Sequence, residues 1–266
     1  PHFEHVSTDA RRTCAVDTNG DVSCWGVGFR GKSRDDVDLA QVSLGYSHAC
    51  GISSKKRVIC WGDDGRRQAS PPSGTFEQVS AGYIHSCAVE TSGTIQCWGS
   101  NEDGGDILNE RTGQADPPSG RFIQVSAGHL HTCAVKRSGE VVCWGANRDG
   151  ESSPPSGAFQ QVSSGDHHTC GVRTSGEVSC WGSDTHGMAS PPDATFVQVS
   201  AGSWHTCGLT TAGTIRCWGE DDEGEASPPC GSFEQVAAGW MTSCAIRHDG
   251  RAICWGLDDR DRASLP

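Results

Sequence analysis

No stretch of the 266 residues approaches the about 18 consecutive apolar residues that a membrane-spanning helix needs, so no membrane insertion is expected. No basic-then-apolar leader is present, so a secreted parent would have lost its signal or would carry it outside this chain. Positive charge is in deficit: 21 Lys and Arg stand against 33 Asp and Glu, for a net charge of −12. Such a surface repels phosphate backbones, which excludes general nucleic-acid binding and leaves protein, sugar, cation or small-molecule partners. Signatures of catalysis are missing too. There is no Ser-His-Asp order, no phosphate-cradling glycine loop and no zinc-protease motif, so no catalytic residue is assigned and the enzyme class stays open. The cysteines show none of the short Cys-x₂-Cys spacings of zinc sites. The carboxylate runs at Glu102-Asp103 with Asp106 and at Glu220 to Glu225 lack the spacing of a calcium loop, so neither metal nor cofactor is expected.

What the chain has is repetition. Cys-Trp-Gly occurs seven times, at steps of 36, 37, 46, 37, 37 and 37 residues, and each copy has a second cysteine ten residues upstream. A period of this size means stacked supersecondary units that cannot bury their apolar faces alone, so residues 1–266 are expected to form one domain.

The fourth copy shows the grammar. Phe122 to Ala127 alternates apolar and polar as a strand does, Gly128-His129-Leu130 interrupts, and His131 to Lys136 is a second strand. Arg137-Ser138-Gly139 reads as a hairpin loop whose glycine takes the left-handed position, and Glu140 to Trp144 returns as a third strand. Pairing Lys136 with Glu140 sets Val135 opposite Val141 and Cys133 opposite Cys143, in the close, non-hydrogen-bonded register where a disulfide fits. The same spacing gives Cys14–Cys24, Cys50–Cys60, Cys87–Cys97, Cys133–Cys143, Cys170–Cys180, Cys207–Cys217 and Cys244–Cys254, leaving Cys230 as a free thiol. Disulfides in this number imply an oxidising compartment: extracellular, periplasmic or cell-surface. Trp144, one residue on, points to the opposite face from Cys143. Glu151-Ser152-Ser153 before Pro154-Pro155 reads as a short fourth edge strand.

The expected fold is therefore all-β, a seven-bladed β-propeller with four short antiparallel strands per blade. Its blade-defining hairpins are 12–26, 48–62, 85–99, 131–145, 168–182, 205–219 and 242–256. Ala263 to Pro266 followed by Pro1 to Val6 rebuilds the internal junction Ala69 to Val79, so the N-terminal strand is expected to complete the last blade and close the ring.

Alternating strands place two sets of loops on one face, the top, and the hairpin turns with the Ser-Pro-Pro junctions on the other. The bottom repeats itself and the top does not. After the glycine, the pairs are Tyr46-Ser47, Tyr83-Ile84, His129-Leu130, Asp166-His167, Ser203-Trp204 and Trp240-Met241, with Ala10-Arg11 in the first blade. Large apolar side chains in exposed loops resemble a binding surface. The candidate ligand-binding residues are Tyr46, Tyr83, Ile84, His129, Leu130, Arg148, His167, Trp204, Trp240 and Met241. The five histidines two residues before the first cysteine (His48, His85, His131, His168 and His205) are expected to be structural, because a repeat position recurs when packing recurs.

The unit Val125-Ser126-Ala127-Gly128 through His131-Thr132-Cys133, then Ser138-Gly139 and Cys143-Trp144-Gly145, resembles the repeat of the regulator-of-chromosome-condensation superfamily. Trp144-Gly145-Ala146-Asn147-Arg148-Asp149-Gly150 is similar to the corresponding run in the secreted β-lactamase-inhibitory propellers of soil actinomycetes, from which the chain departs by its cysteines. That resemblance implies a protein-binding top face gripping first through Tyr83, Trp204 and Trp240. The expected function is a secreted or cell-surface module, monomeric, that binds an extracellular protein and in one form inhibits an enzyme. A lectin-like glycan binder is the alternative. A hydrolase or lyase built around His129, His167 and Asp184 is the third reading.

Overall fold

The computed structural model describes residues 1–9, 12–26, 38–103 and 110–257. Each repeat folds into a three-stranded antiparallel sheet, seven in all, so the chain is all-β and the sheets are the blades of a β-propeller. Among the described residues one 3₁₀ turn, Thr185–Gly187, is the sole helical element, and no helix is long and apolar enough to cross a membrane. In the fourth sheet the inner strand is Phe122–Ala127, the middle strand His131–Lys136 and the outer strand Val141–Gly145.

The hairpin forms as its turn residues dictate. Gly139 has φ +88°, and its N–H donates to the Lys136 carbonyl at 2.9 Å while the Lys136 N–H donates to that of Glu140 at 2.8 Å. Val135 then faces Val141 and Cys133 faces Cys143, with a Cα separation of 4.1 Å. All seven cross-strand disulfides form, and Cys230 is a free, exposed cysteine.

The core lies between the sheets. Cys133, Val135 and Val141 of the fourth sheet pack against Phe159, Val162 and Trp181 of the fifth, so cysteine and tryptophan do face opposite neighbours. The same arrangement brings Cys244 and Ile246 of the last sheet onto Phe3, Val6 and Trp25 of the first. Burying the phenylalanine that six of the seven seams carry (the seam between the first two sheets has Leu39 instead) contributes roughly 2–3 kcal/mol each.

Polar residues link the inner strands edge to edge. Gln124 accepts from the Val162 N–H at 2.9 Å and donates to the Val162 carbonyl at 2.9 Å, and Gln41, Gln78, Gln161 and Gln198 do the same to their neighbours. Gln235 grips Val6 in this way, tying the last sheet to the first. A second relay runs deeper. His131 Nε2 meets Thr169 Oγ1 of the next sheet at 2.8 Å, and that hydroxyl donates to the Glu151 carbonyl at 3.0 Å. The same carbonyl accepts from Trp181 Nε1 at 2.9 Å. His48, His85, His168 and His205 repeat the pattern on Ser86, Thr132, Thr206 and Ser243. The recurring histidine, hydroxyl and tryptophan are thus one hydrogen-bonded seam between sheets.

Two expectations need correction. The segment Glu151 to Pro155 is a turn followed by chain without regular secondary structure, and among the described residues no sheet has a fourth strand. Its donors are spent locally: the Ser152 N–H on Asn147 Oδ1, the Ser153 N–H on the Gly150 carbonyl, and the prolines have none to offer. The N-terminal strand Phe3–Thr8 does not complete the last sheet either. It pairs with Arg12–Asp17 in the first sheet, and the Arg12 N–H donates to Asp9 Oδ1 at 2.8 Å. The expected junction through Ala263 to Pro266 lies outside the described residues.

Candidate functional site

The inner-to-middle loops and the connectors leaving the outer strands share one face, because the Ala146 N–H donates to the Leu130 carbonyl at 2.8 Å and equivalent bonds recur in the other sheets. On this face six of the seven inner strands are followed by a buried glycine, Asp9 taking that place in the first sheet, and these residues stand edge to edge around the axis. The His129 N–H donates to the Gly165 carbonyl at 3.2 Å, and a Cβ on Gly128 would stand 2.5 Å from that oxygen. Gly45, Gly82, Gly165 and Gly202 meet the next carbonyl as closely, so the sequence spends glycine here for close approach. Gly128→Ala is therefore expected to destabilise the fold by on the order of 3 kcal/mol, read from denaturant midpoints. An unchanged midpoint would show that the ring can widen.

The two residues after each glycine differ in role. The first of the pair (Tyr46, Tyr83, His129, Asp166, Ser203 or Trp240) turns toward the axis, and these six line a cavity of about 260 Å³ together with Thr8 and Asp9 of the first sheet. The second of the pair lies outward, over its own sheet. Ile84 is buried at 8% exposure, with its carbonyl taken by the Ser100 N–H, which removes it from the expected contact surface. Leu130 and Met241 are half-buried and bond the outgoing connectors through their carbonyls.

The rings join into one arc across five neighbouring sheets. Tyr46 and Tyr83 have centroids 4.8 Å apart, Tyr83 and His129 4.2 Å, and His129 and His167 6.2 Å. His167 stacks on Trp204 at 5.4 Å and is bonded through Nδ1 to Asp149 at 3.1 Å. Burial pushes the His129 imidazole below its ordinary range, against the pull of Asp166. Trp240 is 37% exposed on the far side of the axial mouth, outside the arc. Arg148 is exposed, with its guanidinium 3.0 Å from Glu110 and 3.5 Å from Asp103.

Sequence reasoning missed Asp166 and Ser203, although both occupy the repeat position of Tyr46 and Tyr83; weighting that position rather than its aromatic members would have found them. It also missed His186, whose ring lies 6.4 Å from Trp204 on a residue with φ +60°. Asp184 does not join His129 and His167 as the enzyme reading required. Its carboxylate caps its own connector, taking the Ala189 N–H at 2.8 Å and the Ser190 hydroxyl at 2.7 Å, as Asp64 and Asp221 do in theirs. Among the described residues no three His, Cys, Asp or Glu side chains are placed to hold a metal ion. Ala10-Arg11, Asp106 and the last connector Asp258-Asp259-Arg260 lie outside the described residues.

Seven like sheets with one unlike face define a β-propeller assembled from a single repeat. The regulator of chromosome condensation (RCC1) repeat matches residues 39–68, 76–104, 122–151, 159–187 and 196–225, and the chain belongs to that family. Among solved structures it is similar to the CRINKLY ectodomain of the Arabidopsis thaliana receptor kinase ACR4, at 24% identity and a TM-score of 0.76, covering 95% of this chain and 96% of that one. The ectodomain of the Physcomitrella patens receptor kinase CR4 aligns at 25% identity and 0.75, covering 95% and 72%. Prp20p of Saccharomyces cerevisiae, described with its binding to Gsp1p and histones, shares the fold at 16% identity and 0.74, covering 85% and 74%. No curated protein matches the sequence.

Proposed function

We propose that this protein is a recognition module of an oxidising, extracellular or cell-surface setting that holds a protein partner on its top face. The observation that carries the reading is the aromatic arc from Tyr46 through Tyr83, His129 and His167 to Trp204, contiguous on the face where the repeats diverge. Flat, rigid rings give contact area at little cost in side-chain order, which suits a protein epitope. Seven disulfides and the likeness to two receptor ectodomains support the compartment. The resemblance to secreted inhibitory propellers extends the reading to a partner that is itself an enzyme.

The test is capture of partners from the native extracellular milieu by wild type and by a His167→Ala/Trp204→Ala variant. Loss of one specific protein with the variant, by at least about a hundredfold in affinity, is the expected result for two central aromatic anchors. Equal retention by both would sink the top-face reading. Retention of glycans alone would shift it to a lectin.

A further inference from the structure

The axial mouth differs in chemistry from the arc beside it. Its walls carry unlike groups brought from separate sheets: the Tyr46 and Tyr83 rings, the His129 imidazole, the Trp240 indole and the Asp166 carboxylate. Aromatic faces present negative potential, so rings around a carboxylate favour an organic cation. Among the described residues Asp166 has no hydrogen-bonding or ion-pairing partner of its own, whereas Asp9 across the mouth is paired with Arg12 at 2.9 Å. Burial disfavours the charged form of the His129 imidazole, which lessens its repulsion of a cation. At about 260 Å³ the cavity is smaller than the roughly 300–1,000 Å³ of pockets that enclose whole small-molecule ligands. It is sized for one side chain. The net charge of −12 draws cations toward the protein in general, and the mouth gives one of them a seat.

The geometry points to a cationic anchor: an arginine or lysine side chain of the protein partner enters the axial mouth, its charge on Asp166 and its stem among Tyr83, His129 and Trp240. This rests on the proposed recognition function and names the chemistry of the partner's central contact. Such an anchor would sit at the geometric centre of the top face, where desolvated contacts carry most of a binding energy.

The probes are capped tripeptides, acetyl-Gly-Arg-Gly-amide and its lysine and glutamine counterparts, with tetramethylammonium as a free small cation. Each is titrated into the full chain while the Trp240 indole and His129 ring resonances are followed by NMR. Saturable shifts with the arginine or lysine peptide, and at least about tenfold weaker binding of the glutamine peptide, are expected. Asp166→Asn, nearly isosteric at a half-buried position, should weaken the cationic peptides about tenfold or more. Equal binding of the glutamine peptide, indifference to Asp166→Asn, or no shift at all overturns the anchor. Tighter binding of tetramethylammonium than of either peptide overturns it in favour of a free cation. Arc-dependent partner capture without cationic-peptide binding by wild type marks a failed anchor alone, whereas cationic-peptide binding with partner capture unaffected by the arc variant His167→Ala/Trp204→Ala marks a failed top-face reading alone.

Discussion

Reduction of the seven disulfides is expected to unfold the protein at physiological temperature. Each bridge closes a loop of ten residues in sequence separation, between strands already paired. Chain-entropy reasoning gives roughly 2–3 kcal/mol per bridge as an upper figure. At that upper figure seven of them, about 14–21 kcal/mol, match or exceed the ~5–15 kcal/mol that separates a typical folded domain from its unfolded chain, and half that share still rivals it. The effect is spread evenly, one bridge per sheet, and each bridge also lines the seam with the next sheet, as Cys133 does against Phe159. Loss of one seam removes support from two sheets, so the transition should be cooperative around the array. Intact mass should rise by fourteen hydrogens on reduction, and the denatured protein should take up one equivalent of a thiol reagent before reduction and fifteen after, since Cys230 alone is free. A thermal midpoint lowered by less than about 5 °C, with those mass changes confirmed, would show that the sheets stand without their staples.

The parts of this fold legible in the sequence are those set by local chemistry. Three residues, Arg137-Ser138-Gly139, fix the hairpin, the hairpin fixes the register, and the register places Cys133 against Cys143. The recurring histidines were legible as structure for a similar reason: each finds the same hydroxyl one sheet away. The fourth strand was not, because Glu151-Ser152-Ser153 has a strand-like pattern but spends its donors within the connector. Its carbonyl serves the neighbouring Trp181 and Thr169 instead, a use that only the packed sheets reveal. The candidate site was half legible. Divergence between repeats directed attention to the loops that line the axial cavity, yet Tyr83 and Ile84 look alike in sequence and differ in burial, since one lines that cavity and the other packs over its sheet. Which side chains converge, such as Asp166 with His129, follows from ring geometry that no single repeat contains.

Acid should be the second strong denaturant, acting well above the range where carboxylates protonate. Burial pushes His85, His131 and His168 down to about 3 and His5, His48 and His205 to about 4, from an ordinary value of 6.5. The seam explains the size of the effect in five of them. Each hydroxyl donates onward to a carbonyl, as Thr169 does to Glu151, so it must accept from the histidine, and the proton sits on Nε2. Nδ1 is then buried without a partner, and protonating it would strand a charged N–H with no acceptor. These folded pKa values lie below the unfolded value, so between about pH 6.5 and 4 the unfolded chain binds more protons, and stability falls as pH falls through that window. Each group contributes up to about 1.4 kcal/mol per pH unit there, and six acting together approach the whole stability of a typical domain within two units. Glu225 works in the opposite sense, because burial raises its pKa and protonation favours the fold, but it is one group against six. Unfolding by denaturant with disulfides intact should therefore show a midpoint that drops steeply from pH 7 to pH 5, and His131→Gln should remove one proton from the slope. A midpoint flat across that range would mean that the buried imidazoles take up their protons without opening the seams.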